Sequence, residues 1–144
     1  VRHARRAAAP GRGREGLWPR PGRGPAQLDS GRVPKILGCA YTKSVSPAPA
    51  DTVLYAIDDR GFLVKVADPN TGVVTDVGSL QIGTTISSFS GFDIHGASGE
   101  AYTALIRSGD AFSTLYSIDL TTGKATSLGR IGTTIGPVTS LVVK

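Results

Sequence analysis

Leu115-Tyr116-Ser117-Ile118-Asp119-Leu120-Thr121-Thr122-Gly123-Lys124-Ala125-Thr126-Ser127-Leu128-Gly129 is the stretch that decides the fold. A run of apolar and β-branched residues leads into a turn at Asp119 to Gly123. A second short apolar run is closed by Gly129, which completes the pattern of a β-hairpin.

Similar blocks occur earlier in the chain. Gly38-Cys39-Ala40-Tyr41-Thr42 and Leu54-Tyr55-Ala56-Ile57-Asp58 return as Gly99-Glu100-Ala101-Tyr102-Thr103 and Leu115-Tyr116-Ser117-Ile118-Asp119, both at an offset of 61. Asp68, Thr71, Gly72 and Gly78 match Asp119, Thr122, Gly123 and Gly129 at an offset of 51. Ile82-Gly83-Thr84-Thr85-Ile86 returns as Ile131-Gly132-Thr133-Thr134-Ile135 at an offset of 49. The difference between the first two offsets predicts an extra hairpin arm, about Asp59 to Asp68, in the first copy. A period of roughly 50 to 60 residues holding about four short strands has the size of a propeller blade.

The expected fold is therefore all-β. Two consecutive antiparallel propeller-like blades form a partial β-propeller over residues 34–144, with repeat 1 at about 34–94 and repeat 2 at about 95–144. The alternative is a β-sandwich whose hairpins merely resemble one another. Propellers generally close with four or more blades, so two copies predict a fragment of a longer repeat protein or open faces that find partners.

Val33 to Thr42 contains an apolar run, Ile36-Leu37, and strands are expected at Val53–Ile57, Phe62–Val66, Val73–Val77, Phe89–His95, Ala101–Ile106, Leu115–Asp119, Ala125–Leu128 and Ser140–Lys144. In Phe62–Val66, alternation sends Phe62, Val64 and Val66 one way and Leu63 and Lys65 the other. Asp68-Pro69-Asn70-Thr71-Gly72 is a turn with a mechanism: Asp accepts backbone N–H groups, Pro presets φ and Gly supplies φ > 0. No stretch carries a period of 3.6.

Residues 1–33 are different in kind. Arg, Gly, Pro and Ala fill 24 of the first 34 positions, and so few large apolar residues cannot offset the entropy of ordering. A disordered tail is expected. Within it Gly11-Arg12-Gly13-Arg14-Glu15-Gly16 matches G-x-G-x-x-G, yet no strand precedes it and no helical pattern follows, so a phosphate cradle has no support. RNA binding by the Arg-Gly tract, a transit peptide, and out-of-frame sequence from GC-rich codons are competing readings of the tail.

The formal charge of +5 belongs to that tail. Residues 1 to 37 hold nine of the sixteen Lys and Arg against Glu15 and Asp29, whereas the remainder is mildly acidic. Nucleic acid is thus an unexpected partner for the folded part. A lone Cys39 rules out an intramolecular disulfide scaffold and a Cys-based zinc site. No run of about 18 apolar residues predicts a membrane span, and the first residues contain no apolar core of about 7 to 15 residues for a secretory signal. The chain contains no Met and starts at Val1, which leaves its natural start open.

Ala40-Tyr41-Thr42, Leu54 to Asp58, Asp68 to Gly72, Val77-Gly78-Ser79-Leu80, Gly91-Phe92-Asp93-Ile94 and Leu115 to Gly123, in that order, resemble the C-terminal half of the domain-of-unknown-function 4394 family. The resemblance runs over roughly Pro34 to Lys144. It implies a bacterial, often exported protein of propeller-like repeats, hence an extracellular or cell-envelope location. It carries over no catalytic residue, since the family has no established activity.

Ser90, Asp93 and His95 supply a hydroxyl, a carboxylate and an imidazole within a few residues. Alternation puts Asp93 and His95 on one strand face, whereas a triad needs its base between its two partners. Asp93 is expected to tie down a backbone turn and His95 to lie at a strand end. Asp58-Asp59 and Asp68-Pro69-Asn70 offer oxygen ligands for calcium but lack the alternating spacing of a calcium loop, so turn chemistry is the preferred reading. Tyr41, Tyr55, Tyr102 and Tyr116 are expected in the core or between blades.

No catalytic, cofactor-binding or metal-binding residue is therefore assigned, and no cofactor is expected. Two functions remain: a non-catalytic structural or binding module whose loops or blade faces engage a protein, a glycan or another copy, and a piece of a propeller-type hydrolase or lyase whose site lies in further blades.

Overall fold

A computed structural model describes residues 35–132 and 136–144, and of residues 88 and 89 only the backbone. The predicted tail at 1–33 lies outside these residues.

Eight strands follow one another: β1 Ile36–Tyr41, β2 Leu54–Asp58, β3 Phe62–Asp68, β4 Val73–Ser79, β5 Ile86–Ile94, β6 Ala101–Arg107, β7 Thr114–Ile118 and β8 Ala125–Arg130. They form two four-stranded sheets, in the orders β1-β2-β3-β4 and β5-β6-β7-β8, with every pairing antiparallel. Among the described residues no strand crosses between the sheets, so the Greek-key connection common in sandwiches is absent. The all-β expectation holds: seven of the eight predicted strands are present, and β1 is a strand that was not predicted. Ser140–Lys144 forms no strand. It instead packs close to β5, where a Cβ on Gly91 would lie 2.7 Å from Leu141 N.

The two sheets share their pairing register. Leu63 faces Gly78 as Leu115 faces Gly129, Val64 faces Asp76 as Tyr116 faces Ser127, and both pairs of strands carry an irregularity at that step. Cys39 faces Ala56 as Phe92 faces Thr103, and Ala56 faces Val64 as Thr103 faces Tyr116. This register corrects the match at an offset of 61. Ala40-Tyr41 lies in a first strand and Ala101-Tyr102 in a second, while Leu54 to Asp58 is a second strand and Leu115 to Ile118 a third. The predicted extra arm is likewise no addition, because β3 has its counterpart in β7. The boundary at about 94 also moves, since Ile86–Ile94 opens the second sheet rather than ending the first. The match at an offset of 51 stands, because both turns close alike: Gly72 N–H donates to Asp68 O and Gly123 N–H to Asp119 O.

The main core lies between the sheets. It joins Ala40, Ile57, Leu63 and Leu80 to Phe92, Ile94, Ala101, Leu105, Tyr116 and Ile118, with Val77 and Leu120 packed against it. Each such large side chain, once buried, contributes about 1.5–3 kcal/mol of hydrophobic stabilisation. A second cluster holds Ala56, Val64 and Val74, with Phe62 and Val66 against it. Register makes Val64 the counterpart of Tyr116 and Val66 that of Ile118, yet these counterparts lie in the other cluster. Opposite faces of equivalent sheets thus meet, so the second sheet is stacked head to tail on the first.

Glycine is what lets the sheets approach. A Cβ on Gly78 of β4 would sit 2.0 Å from Thr122 O, and one on Gly123 would sit 2.5 Å from Gly78 O. Ala125 N–H donates across the same junction to Leu80 O at 3.1 Å. Of the four tyrosines, Tyr116 is buried and Tyr55 packs on the core, but Tyr41 is 45% exposed, against the expectation. It lies next to the irregular β1–β2 loop, and among the described residues no strand pairs with the β1 edge of the sheet.

Candidate functional site

Two loops on the same end of the stack enclose a shallow hollow of about 450 Å³, lined by Thr42, Lys43, Asp51 and Val53 from β1–β2 and by Gly96, Ala97, Ser98 and Gly99 from β5–β6. The first loop is long because Ser46, Pro47 and Pro49 favour neither helix nor strand. Its neck is fixed by Thr42, whose N–H donates to Val53 O while its hydroxyl accepts the Val53 N–H, each at 2.9 Å. Lys43, at φ 53°, pairs with the Asp51 carboxylate and holds it below the usual carboxylate range. The loops touch where a Cβ on Gly96 would lie 2.5 Å from Ser44 O, a contact that only glycine permits.

On the β5–β6 side a small relay is built around Ser98. Its N–H donates to His95 Nδ1 at 3.0 Å, so that nitrogen is an acceptor and the ring proton resides on Nε2. The Ser98 hydroxyl lies 2.7 Å from the same nitrogen and 3.1 Å from Glu100 Oε2, so one proton serves two acceptors. Serine stands between imidazole and carboxylate here, the reverse of the order nucleophilic catalysis uses. With Lys43, Asp51, Ser98 and Glu100 all exposed, the hollow presents donors and acceptors to water rather than a desolvated acid or base. That arrangement suits hydrogen-bonded recognition of a polar ligand.

Ser90, Asp93 and His95 are not brought together. The Ser90 hydroxyl is buried and has no partner among the described residues. Asp93 Oδ2 accepts the Val143 N–H at 2.7 Å, so it ties down backbone as expected, though that of the C-terminal segment rather than of a turn. His95 follows the end of β5 and bonds Ser98.

The aspartates proposed for turns act as turn residues. Asp68 Oδ1 accepts the Asn70 N–H at 2.9 Å and Asp119 Oδ1 the Thr121 N–H at 2.8 Å. These backbone donors, led by Asn70 and Thr121 respectively, hold both carboxyls below their ordinary value. Asp58 instead accepts from the backbone of Arg60 and Phe62 and pairs with the Arg60 guanidinium, which also reaches Asp76. Sequence reasoning missed that cluster. Asp76 lies 16 residues from Arg60, and only the β3–β4 pairing brings it near. Among the described residues no group of three or more His, Cys, Asp or Glu could hold a metal ion, and no helix is long and apolar enough to cross a membrane.

A family model described as Domain of unknown function (DUF4394) matches residues 23–141. Comparison with curated proteins and with solved structures gave no match.

Proposed function

The chain belongs to the DUF4394 family, and from that premise we propose that it is a non-catalytic structural or binding module of an exported repeat protein. Its two sheets act as successive blades of a propeller-like stack, and its loop edge engages a protein or a glycan. One observation carries this reading: equivalent sheets with the same register are stacked head to tail through Gly78 and the Thr122–Gly123 turn. Such a junction supports an array whose rigid stack presents loops, a division of labour typical of repeat proteins. The exposed donors and acceptors of the hollow at Lys43, Asp51 and Ser98 support a polar ligand there.

The test is to offer the full chain to glycan and peptide arrays and to follow the fate of whatever it retains. A retained ligand that stays chemically intact, and whose retention falls in Ser98→Val and Lys43→Ala, is the expected result. Release of a cleaved product, abolished by His95→Gln, would instead establish the hydrolase or lyase alternative.

A further inference from the structure

Ser140 and Leu141 sit on β5 in the way that β5 sits on β1. Gly38 is the counterpart of Gly91, because each precedes matching pairs: Cys39 faces Ala56 as Phe92 faces Thr103. A Cβ built on Gly38 would lie 3.1 Å from Phe92 Cβ, and one built on Gly91 would lie 2.9 Å from Leu141 Cβ. The sequence agrees, since the block that opens at Ile82 and returns at Ile131 carries its offset of 49 onward to align Phe92 with Leu141. Residues 136–144 thus take the place on the second sheet that β5 takes on the first, the place of an opening strand.

Leu141 to Lys144 has the alternating exposure of such a strand: Leu141 and Val143 are half-buried, while Lys144 is exposed and Val142 is 69% exposed. What it lacks is a ladder. β5 is paired with β6, whereas among the described residues Val138 to Lys144 make no backbone–backbone hydrogen bond. Side chains hold them instead, with buried Ser113 Oγ accepting the Val138 N–H at 2.8 Å and Asp93 Oδ2 the Val143 N–H at 2.7 Å. Successive N–H groups of an extended chain point to opposite edges, so the Val142 and Lys144 N–H groups face away from Asp93. The surface beneath is unfinished too. Gly91, Ala104 and Leu115 lie opposite one another on one face, as Gly38, Ile57 and Leu63 do in the first sheet. Ile57 and Leu63 are both fully buried; Ala104 is as well, but Leu115 is only half-buried and Leu128 on β8 is 53% exposed.

We propose that residues 138–144 present an edge for strand addition, and that its occupant is an antiparallel β-strand of another polypeptide, built like β6. Its backbone bonds Val142 and Lys144, and its small and apolar alternate residues turn toward Leu115. β6 is the template because it is the strand that β5 takes in the equivalent place, where its Ala101 and Leu105 join the core against the first sheet. The inference rests on reading the two sheets as equivalent units, and it makes no use of the loop hollow.

A labelled peptide with the sequence of Gly99 to Arg107 tests it, with fluorescence anisotropy following its binding to the full chain. Saturable binding is expected, and none by a scrambled peptide. Two further peptides are N-methylated, one at Ala101, Thr103 and Leu105 and the other at Tyr102, Ala104 and Ile106. An added strand pairs along one edge, so one methylated peptide is expected to keep its binding and the other to lose it. Val142→Pro removes an edge N–H at an exposed position and is expected to weaken binding about ten-fold with an unchanged melting curve, whereas Val142→Thr binds as the wild type does. Should Val142→Pro shift the melting curve, the methylated pair decides alone. No binding, equal binding of the scrambled peptide, or both methylated peptides behaving alike overturns the proposal. So does full binding by a normally folded Val142→Pro chain, which would mean that the peptide replaces β6. Retention of a polar ligand by Val142→Pro reports on the loop hollow separately, so the two readings can fail independently.

Discussion

Asp58 and Arg60 are joined twice, with Arg60 Nε 2.8 Å and Nη2 2.7 Å from the same Asp58 oxygen. The other Asp58 oxygen accepts the backbone N–H groups of Arg60 and Phe62, so one fully buried carboxylate both closes the β2–β3 turn and holds the cation. Nη2 also lies 2.9 Å from Asp76, and the guanidinium stacks 4.8 Å from the Phe62 ring centre. Burial works against the charge on Arg60, but the two carboxylates outweigh it and raise its pKa.

Arg60→Ala removes the guanidinium from two carboxylates that are largely shielded from water. The expected loss is roughly 3 kcal/mol, the lower end for breaking a buried pair, because Arg60 keeps 17% side-chain exposure. Lys43→Ala breaks an ion pair in open solvent and is expected to leave the urea midpoint unchanged. Equal losses in the two urea titrations would contradict this ranking.

Gly78→Ala and Gly72→Ala separate contact from conformation. Gly78 does not need a positive φ, so its alanine pays only for the clash with the Thr122 carbonyl, and a loss of about 1–3 kcal/mol or more is expected. Gly72 has φ 69° and open space around it, so its alanine pays only for a left-handed conformation, about 1–2 kcal/mol. Gly123→Ala carries both costs, with φ 79° and the Gly78 carbonyl 2.5 Å away, and is expected to be the most damaging of the three. Chemical denaturation of the three variants gives the order directly.

Asp68 and Asp119 set an acid limit. Their carboxyls titrate lower in the folded chain than in the unfolded one, so their contribution is fully present above the unfolded value of about 3.9. It is lost as pH falls below that value through the folded pKa. The denaturation midpoint is expected to drop on acidification in this window. In the Asp68→Asn, Asp119→Asn double variant, whose amides accept the same N–H groups without titrating, that drop is expected to be shallower. An unchanged acid profile would remove the two turns from the explanation.

His95 offers a spectroscopic check on the loop geometry. With Nδ1 accepting the Ser98 N–H, the neutral ring is expected as the Nε2–H tautomer. Long-range nitrogen–proton correlation distinguishes the tautomers, and a dominant Nδ1–H form would mean that the β5–β6 loop folds differently.

What could be read in the sequence was local. The turn at Asp68 to Gly72 declared itself through an Asx acceptor and a positive-φ glycine, requirements met within five residues, and its counterpart at Asp119 to Gly123 was matched correctly. Strand positions were legible for the same reason. Strand equivalence was not. Leu54 to Asp58 and Leu115 to Asp119 are both interior strands that place small and large residues on packed faces, so they look alike while occupying second and third places in their sheets. Cross-strand pairing decides the place, and pairing is non-local. The same limit hid Arg60 with Asp76, and the meeting of Gly96 with the Ser44 carbonyl that shapes the hollow.

The bond from Val143 N–H to Asp93 spans 50 residues, and it orders events in time. The first sheet has all its strands in hand once the ribosome has passed Ser79, with only neighbouring strands to pair. Asp93 receives its donor last, after β6, β7 and β8 have been made. Because distant contacts form only after the intervening chain is available, synthesis itself favours an early first sheet and a late second one. A nascent chain halted before Val143 lacks the donor that Asp93 accepts in the folded chain.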